Sequence, residues 1–225
     1  MNLFSHVVRF FQGGGEMMYP IAVVLVVGLA IAAERWIYLT FTAIRNRGLW
    51  NQLAPLLAQG NFRAAVQLTG KSSSAIGQIL SYGLARLSSA RTRDDIEKAM
   101  EESLMDITPR LEKRTHYIAT FANLSTLLGL LGTVIGLINA FAAVATVNPA
   151  EKANLLSASI SVAMNCTAFG LMSAVPLLLI HAVLQTKTTE LIDSLEMASV
   201  KFLNSVTERQ PQSGASTAAS SAAAA

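Results

Sequence analysis

The chain has 225 residues, of which 52% are hydrophobic and only 14% charged, with a mean hydropathy of +0.45. A soluble domain averages about 25% charged residues, so this composition excludes a disordered or collagen-like chain and argues against a water-soluble enzyme. One cysteine, Cys166, excludes an internal disulfide framework and a cysteine-built zinc site, and a net charge of +3 is too small to indicate a nucleic-acid binder.

In chain order, residues 1–12 place Leu3, Phe4, Val7, Val8, Phe10 and Phe11 at helical spacing. They read as an amphipathic helix lying at a membrane interface, within a 1–16 segment closed by Gly13-Gly14-Gly15. Met17–Ala33 is free of Asp, Glu, Lys and Arg over 17 residues, about the minimum for a membrane span. With Pro20 in its first turn and Trp36 and Tyr38 at headgroup depth, it gives a first transmembrane helix over 17–41. Ala30-Ile31-Ala32 has the form of a signal-peptidase site, but cleavage there would export a strongly basic loop, so the expectation is an uncleaved span.

Residues 42–114 form a helical cytoplasmic domain by pattern. Gly60-Asn61 separates Leu49–Leu57 from Phe62–Leu68 as a helical hairpin, Gly70–Ser74 is a loop, and Ile76–Leu87 is a further apolar-periodic helix. Thr92-x-x-Asp95 is a capping-box variant opening a charged helix with an Asp94–Lys98 pair one turn apart. Pro109 is expected to kink or interrupt the path into the next span.

Thr115–Ala150 and Ala153–Thr186 are charge-free over 36 and 34 residues. As helices each would measure about 50 Å, against a hydrocarbon core of about 30 Å. They read as a long hairpin turned at Asn148-Pro149, giving a second transmembrane helix over 115–150 and a third over 151–207, both extended into the cytoplasm. Gln210–Ala225, in a 208–225 tail, is Ser/Ala-rich and expected to be flexible. Fifteen Lys/Arg fall in Arg35–Arg114 and after the third span, against Arg9 and Lys152 elsewhere. The positive-inside rule then puts the 42–114 segment and the C-terminus in the cytoplasm and the N-terminus outside. The fold class is an all-α integral membrane protein with three transmembrane helices and a helical cytoplasmic domain.

Gly132, Gly136 and Ala140 lie four apart on the second span, with Gly129 and Thr133 as a neighbouring stripe and Thr126 one heptad before Thr133. The third span repeats the spacing in Ser159-Ala163-Thr167 and Gly170-Ala174, with a row Ser157-Ser161-Asn165. Close packing alone can explain small residues; hydroxyls gathered on two helices also fit a lumen or a partner-facing surface, and Asn165 is costly in lipid. Neither long span holds a carboxylate, and His181 reads as a packed or interfacial side chain rather than a proton relay. A proton path would need a partner helix to supply the titrating group.

Leu128-Gly129-Leu130-Leu131-Gly132-Thr133-Val134-Ile135-Gly136, preceded by Leu111-Glu112-Lys113-Arg114 and Ala122-Asn123, resembles the second-helix signature of the TolQ/ExbB/MotA proton-channel family. Thr167-Ala168-Phe169-Gly170-Leu171-Met172-Ser173-Ala174-Val175-Pro176 is similar to its third-helix signature. Ile31–Arg35, Gln59–Phe62 and Tyr82-Gly83-Leu84 resemble the end of its first helix and its cytoplasmic motifs. The resemblance implies a homopentamer in the bacterial inner membrane around a dimer of ExbD- or TolR-like single-span partners, each carrying an intramembrane aspartate, with proton flow driving transport, envelope integrity or gliding motility. No nucleophile–base or metal-ligand cluster appears in the sequence, so no enzymatic activity, cofactor or metal is expected, and the small net charge argues against a nucleic-acid partner. Thr133 and Thr167 match the family's pore-facing threonines; Thr126, Ser161 and Asn165 are further candidate lining residues, and Gly129, Gly132, Gly136, Ala163, Gly170 and Pro176 candidate packing residues. The three-span length fits the ExbB/TolQ branch. Where that branch usually carries a glutamate, five residues before Thr167, this chain has Val162. That departure points to a specialised member such as a gliding motor, or to a non-conducting scaffold of the same fold.

Overall fold

The computed structural model describes residues 11, 13–87 and 92–207; the expected interfacial helix over 1–12 and the tail over 208–225 lie almost wholly or wholly outside them. Every described element is a helix: α1 (Met18–Gln59), α2 (Phe62–Gly70), α3 (Ala75–Arg86), α4 (Arg93–Glu112), α5 (Thr115–Thr146) and α6 (Pro149–Thr207). Three helical stretches are long and apolar enough to cross a membrane: α1, the apolar part of the run ending in α5, and α6.

The helix ends follow local chemistry. Gly60 adopts φ 75°, the left-handed conformation that glycine tolerates at a helix C-terminus. The Asn61 N–H then closes back on the Leu56 carbonyl at 2.9 Å, and the Asn61 side chain caps α2 by accepting from the Ala64 N–H at 3.2 Å. Ser74 caps α3 through the Gly77 N–H at 3.2 Å. At the start of α4, the Asp95 carboxylate accepts from the Thr92 N–H at 3.0 Å, and Lys98 pairs with Asp94 at 2.6 Å. The Asp94 hydrogen bond raises the Lys98 ammonium above its ordinary pKa. Asn148-Pro149 reverses the chain between α5 and α6, with proline at the first helical position.

Pro109 departs from expectation. α4 continues through it to Glu112, and the break falls at Lys113-Arg114, where Arg114 takes φ 65°. The carbonyl orphaned by proline's missing N–H belongs to Met105, on an open face where water can satisfy it. Nor does α1 stop where the sequence turns polar: it runs unbroken past Phe41-Thr42 to Gln59.

The chain divides into two compact units, residues 1–36 with 114–185 and residues 37–113 with 186–225. In the first, the buried positions are predominantly small: Ala122, Ser125, Gly129 and Gly132 on α5, with Ala163, Cys166, Ser173 and Ala174 on α6. Met18, Ile21, Ile118, Leu177 and Leu184 are its fully buried large apolar side chains. In the second, the core is aliphatic and aromatic: Leu53, Leu57, Ile79, Leu80, Met100, Ile107, Leu195 and Phe202. Gly83 gives α3 its close approach there, since a Cβ would meet Met100 Sδ at 2.7 Å and Phe202 Cε1 at 3.0 Å.

Candidate channel-lining seam

α5 and α6 run antiparallel and meet backbone to backbone. Ala163 faces Gly136, Cys166 faces Gly132, and Thr167 and Gly170 face Gly129. A Cβ at Gly129 would lie 3.2 Å from the Gly170 Cα, and one at Gly170 only 2.7 Å from the Ser125 carbonyl oxygen. At Gly136 it would sit 2.8 Å from Ala163 Cβ. Glycine at these positions lets the helix backbones approach to dispersion contact.

That proximity sets the hydroxyl chemistry. Thr167 Oγ1 donates across the seam to the Gly129 carbonyl at 2.8 Å. In the α-helical pattern the same carbonyl accepts the Thr133 N–H, four residues on. Both threonines therefore converge on one oxygen. Thr133 Oγ1 donates to the Leu130 carbonyl at 2.6 Å, and its side chain is half-buried. Each hydroxyl has its proton engaged on backbone and its lone pairs free to accept.

The remaining candidates are distributed differently. Thr126 is half-buried and donates to its own helix at Ala122 O, 3.3 Å away. Ser161 is exposed. Asn165 is tied by its amide to the Gly13 carbonyl at 3.2 Å, so it anchors the approach to α1 within this chain. Pro176 is exposed and lies off the seam, unlike Gly129, Gly132, Ala163 and Gly170, which are buried in it, and Gly136, which is half-buried. Val162 is 38% exposed.

Two features passed unnoticed in the sequence. Ser125 and Ser173 are fully buried, and neither hydroxyl meets a protein partner. Ser125 lies one turn before Gly129, so the small-residue stripe could have been extended to it. Arg114, left-handed at the entrance to α5, makes two hydrogen bonds to the Glu34 carboxylate of α1, at 2.7 and 2.9 Å. Nothing in the spacing connects residues 80 apart. Among the described residues no three His, Cys, Asp or Glu side chains gather as a metal site would require.

Described residues that form only helices, three of them apolar and of spanning length and two joined through a glycine seam, define a helical membrane protein. The chain belongs to the MotA/TolQ/ExbB proton channel family, whose sequence model matches residues 71–197. It is 26% identical over 199 residues to a putative biopolymer transport protein ExbB homolog of Methanothermobacter thermautotrophicus, covering 88% of this chain and 69% of the relative. It is 28% identical over 169 residues to the biopolymer transport protein exbB1 of Vibrio cholerae, covering 72% of each. It is 30% identical over 112 residues to the Tol-Pal system protein TolQ of Pseudomonas aeruginosa, covering 46% of this chain and 48% of that one. The family is one of transport-related proton channels, not of enzymes.

Proposed function

We propose that the chain is the channel-forming subunit of a proton-driven motor, a homo-oligomer and by family likeness a pentamer, built around a single-span ExbD/TolR-like partner dimer that brings an intramembrane aspartate. The observation that carries the reading is that the Thr167 and Thr133 hydroxyls donate to the adjacent Gly129 and Leu130 carbonyls, in a seam without any carboxylate of its own. With both hydroxyl protons committed to backbone, the seam offers acceptors. It favours a protonated carboxylic acid, or a water, over a bare carboxylate. A proton arriving on the partner aspartate is thus welcomed at these threonines, and its loss weakens the contact and releases the partner helix. A unit charge crossing the membrane supplies about 2.3 kcal/mol per 100 mV, comparable with the cost of breaking one such hydrogen bond.

The proposed topology puts membrane spans in 17–41 and in the charge-free parts of 115–150 and 151–207. The 42–114 segment and the C-terminus face the cytoplasm of the inner membrane, on the strength of the fifteen-to-two distribution of basic residues. Reporter fusions at Ser73 and Asn148 will give opposite sides; the same side from both would refute the topology.

The seam is tested by Thr133→Val and Thr167→Val, each close in volume to threonine but without the hydroxyl. Leaving a buried partner unsatisfied costs about 1–3 kcal/mol. Both valine variants should co-purify with the partner and lose proton flux, while Thr→Ser retains most of it. Normal flux in both valine variants removes the site. Val162, where family likeness leads one to expect a glutamate, favours a second reading, a non-conducting scaffold. An assembled wild-type complex that passes no protons in vesicles would establish that alternative.

A further inference from the structure

Among the recesses of the second unit, two carry opposite charge. The larger, about 530 Å³, lies between α1 and α6. Its walls are apolar, including Leu39, Ile44, Trp50 and Met197, and its charged groups are Arg47, Lys187 and Lys201 against the single carboxylate of Glu190. Asn46 lines it at 4% exposure. The Asn46 carbonyl oxygen accepts the Ile76 N–H at 3.3 Å, while its amide nitrogen has no partner. The smaller recess, about 440 Å³, lies between α4 and α6 and contains Glu101, Glu196, Leu104, Met105, Thr108 and Pro109, with no cation. Met105 stands out from it at 73% exposure, the most exposed large apolar side chain among the described residues.

The two recesses use different sides of α6. Ser194 lines the basic groove and Glu196 the acidic recess, and two residues turn about 200° around a helix. A surface and its complement on opposite sides of one subunit make a head-to-tail contact, which closes into a ring when the rotation allows; a two-fold dimer would need one self-complementary patch.

We infer that these are the two halves of a single contact repeated between copies of this chain, with the acidic α4 face of one copy seated in the basic α1–α6 groove of the next. The inference rests on the homo-oligomer reading above and adds which face meets which. Met105 enters the apolar groove as the anchor. Glu101 and Glu196 meet Arg47 and Lys201, fixing register and disfavouring the reverse docking of acid on acid.

The test uses two differently tagged full-length copies co-expressed in membranes, one Met105→Cys and the other Ile44→Cys; both positions are exposed and native Cys166 is buried. Mild oxidation should give a mixed-tag disulfide, with none from either variant alone. Arg47→Glu with Lys201→Glu in the groove copy should lower the mixed product several-fold, and Glu101→Lys with Glu196→Lys in the other copy should restore it. Same-tag disulfides from a single variant would mean a two-fold contact and overturn the inference. So would a homo-oligomer, seen by amine cross-linking, that forms no mixed disulfide; an Ile44→Cys thiol then protected from a maleimide would mark lipid or another protein as the occupant. Monomers alone under amine cross-linking would overturn the homo-oligomer reading itself.

Discussion

The α5–α6 seam and the core of the second unit solve the same problem, holding helices together, with opposite materials. In the seam the contact is made by Gly129, Gly132, Gly136 and Gly170, and backbone atoms touch. In the second unit Leu53, Leu80, Met100 and Phe202 interlock at 0–2% exposure. The two materials differ in what they require of their surroundings. Burying a leucine gains from water's exclusion, worth about 25 cal/mol per Å², but gains nothing against lipid tails, where close van der Waals fit and interhelical hydrogen bonds must serve. The outer faces agree: Leu127, Leu130, Val134 and Ile138 on α5 are exposed and apolar, as a lipid- or protein-facing surface requires.

Substitutions can break that comparison. The largest effect belongs to Phe202→Ala, which empties a fully buried site and should cost about 3–5 kcal/mol, read as a lowered unfolding midpoint in detergent while Cys166 stays protected from thiol reagents. Gly170→Ala acts the other way, by adding one carbon. Its Cβ would press on the Ser125 carbonyl at 2.7 Å, an overpacking of about 1–3 kcal/mol that should expose Cys166 to a maleimide. If Gly170→Ala is silent while Phe202→Ala unfolds the chain, the seam is looser than its geometry states. Thr92→Ala removes an N-cap and should cost about 1 kcal/mol, seen as faster amide exchange in the first turn of α4. The smallest change is Arg114→Gly. It gives up an ion pair whose partners are about half exposed, worth about 0–1 kcal/mol. It also relieves a left-handed residue of about 1 kcal/mol, so the midpoint should barely move.

Much of this was legible because it is local. Gly60-Asn61, Thr92-x-x-Asp95 and Asn148-Pro149 act through turns and caps only a few residues long, and the structure places helix boundaries at each. The spanning helices announced themselves by the lack of charge. What escaped depends on how helices meet or on solvent. Pro109 was a sound breaker by its own chemistry, yet its exposed position lets water compensate, and the break moved to Arg114, which carries no breaker signature. Residues 41–42 mark a change in polarity but not in backbone hydrogen bonding, so α1 passes through. Within the seam the stripe Gly129–Gly132–Gly136 was readable. That Thr167 would lend its hydroxyl to Gly129, and Asn165 its amide to Gly13, needed the helix register, which single-strand spacing does not contain.

The tight turn at Val147-Asn148 has a consequence for how the protein is made. With the basic segments held on the cytoplasmic side as proposed, the linker that must cross during biosynthesis is short and carries only Glu151 and Lys152, whose charges cancel. A hairpin already zipped along its glycines has the Thr167 hydroxyl satisfied by the Gly129 carbonyl before any other subunit arrives. The two helices are therefore equipped to enter the bilayer together as one inserted piece, leaving later assembly to surfaces that the hairpin does not consume.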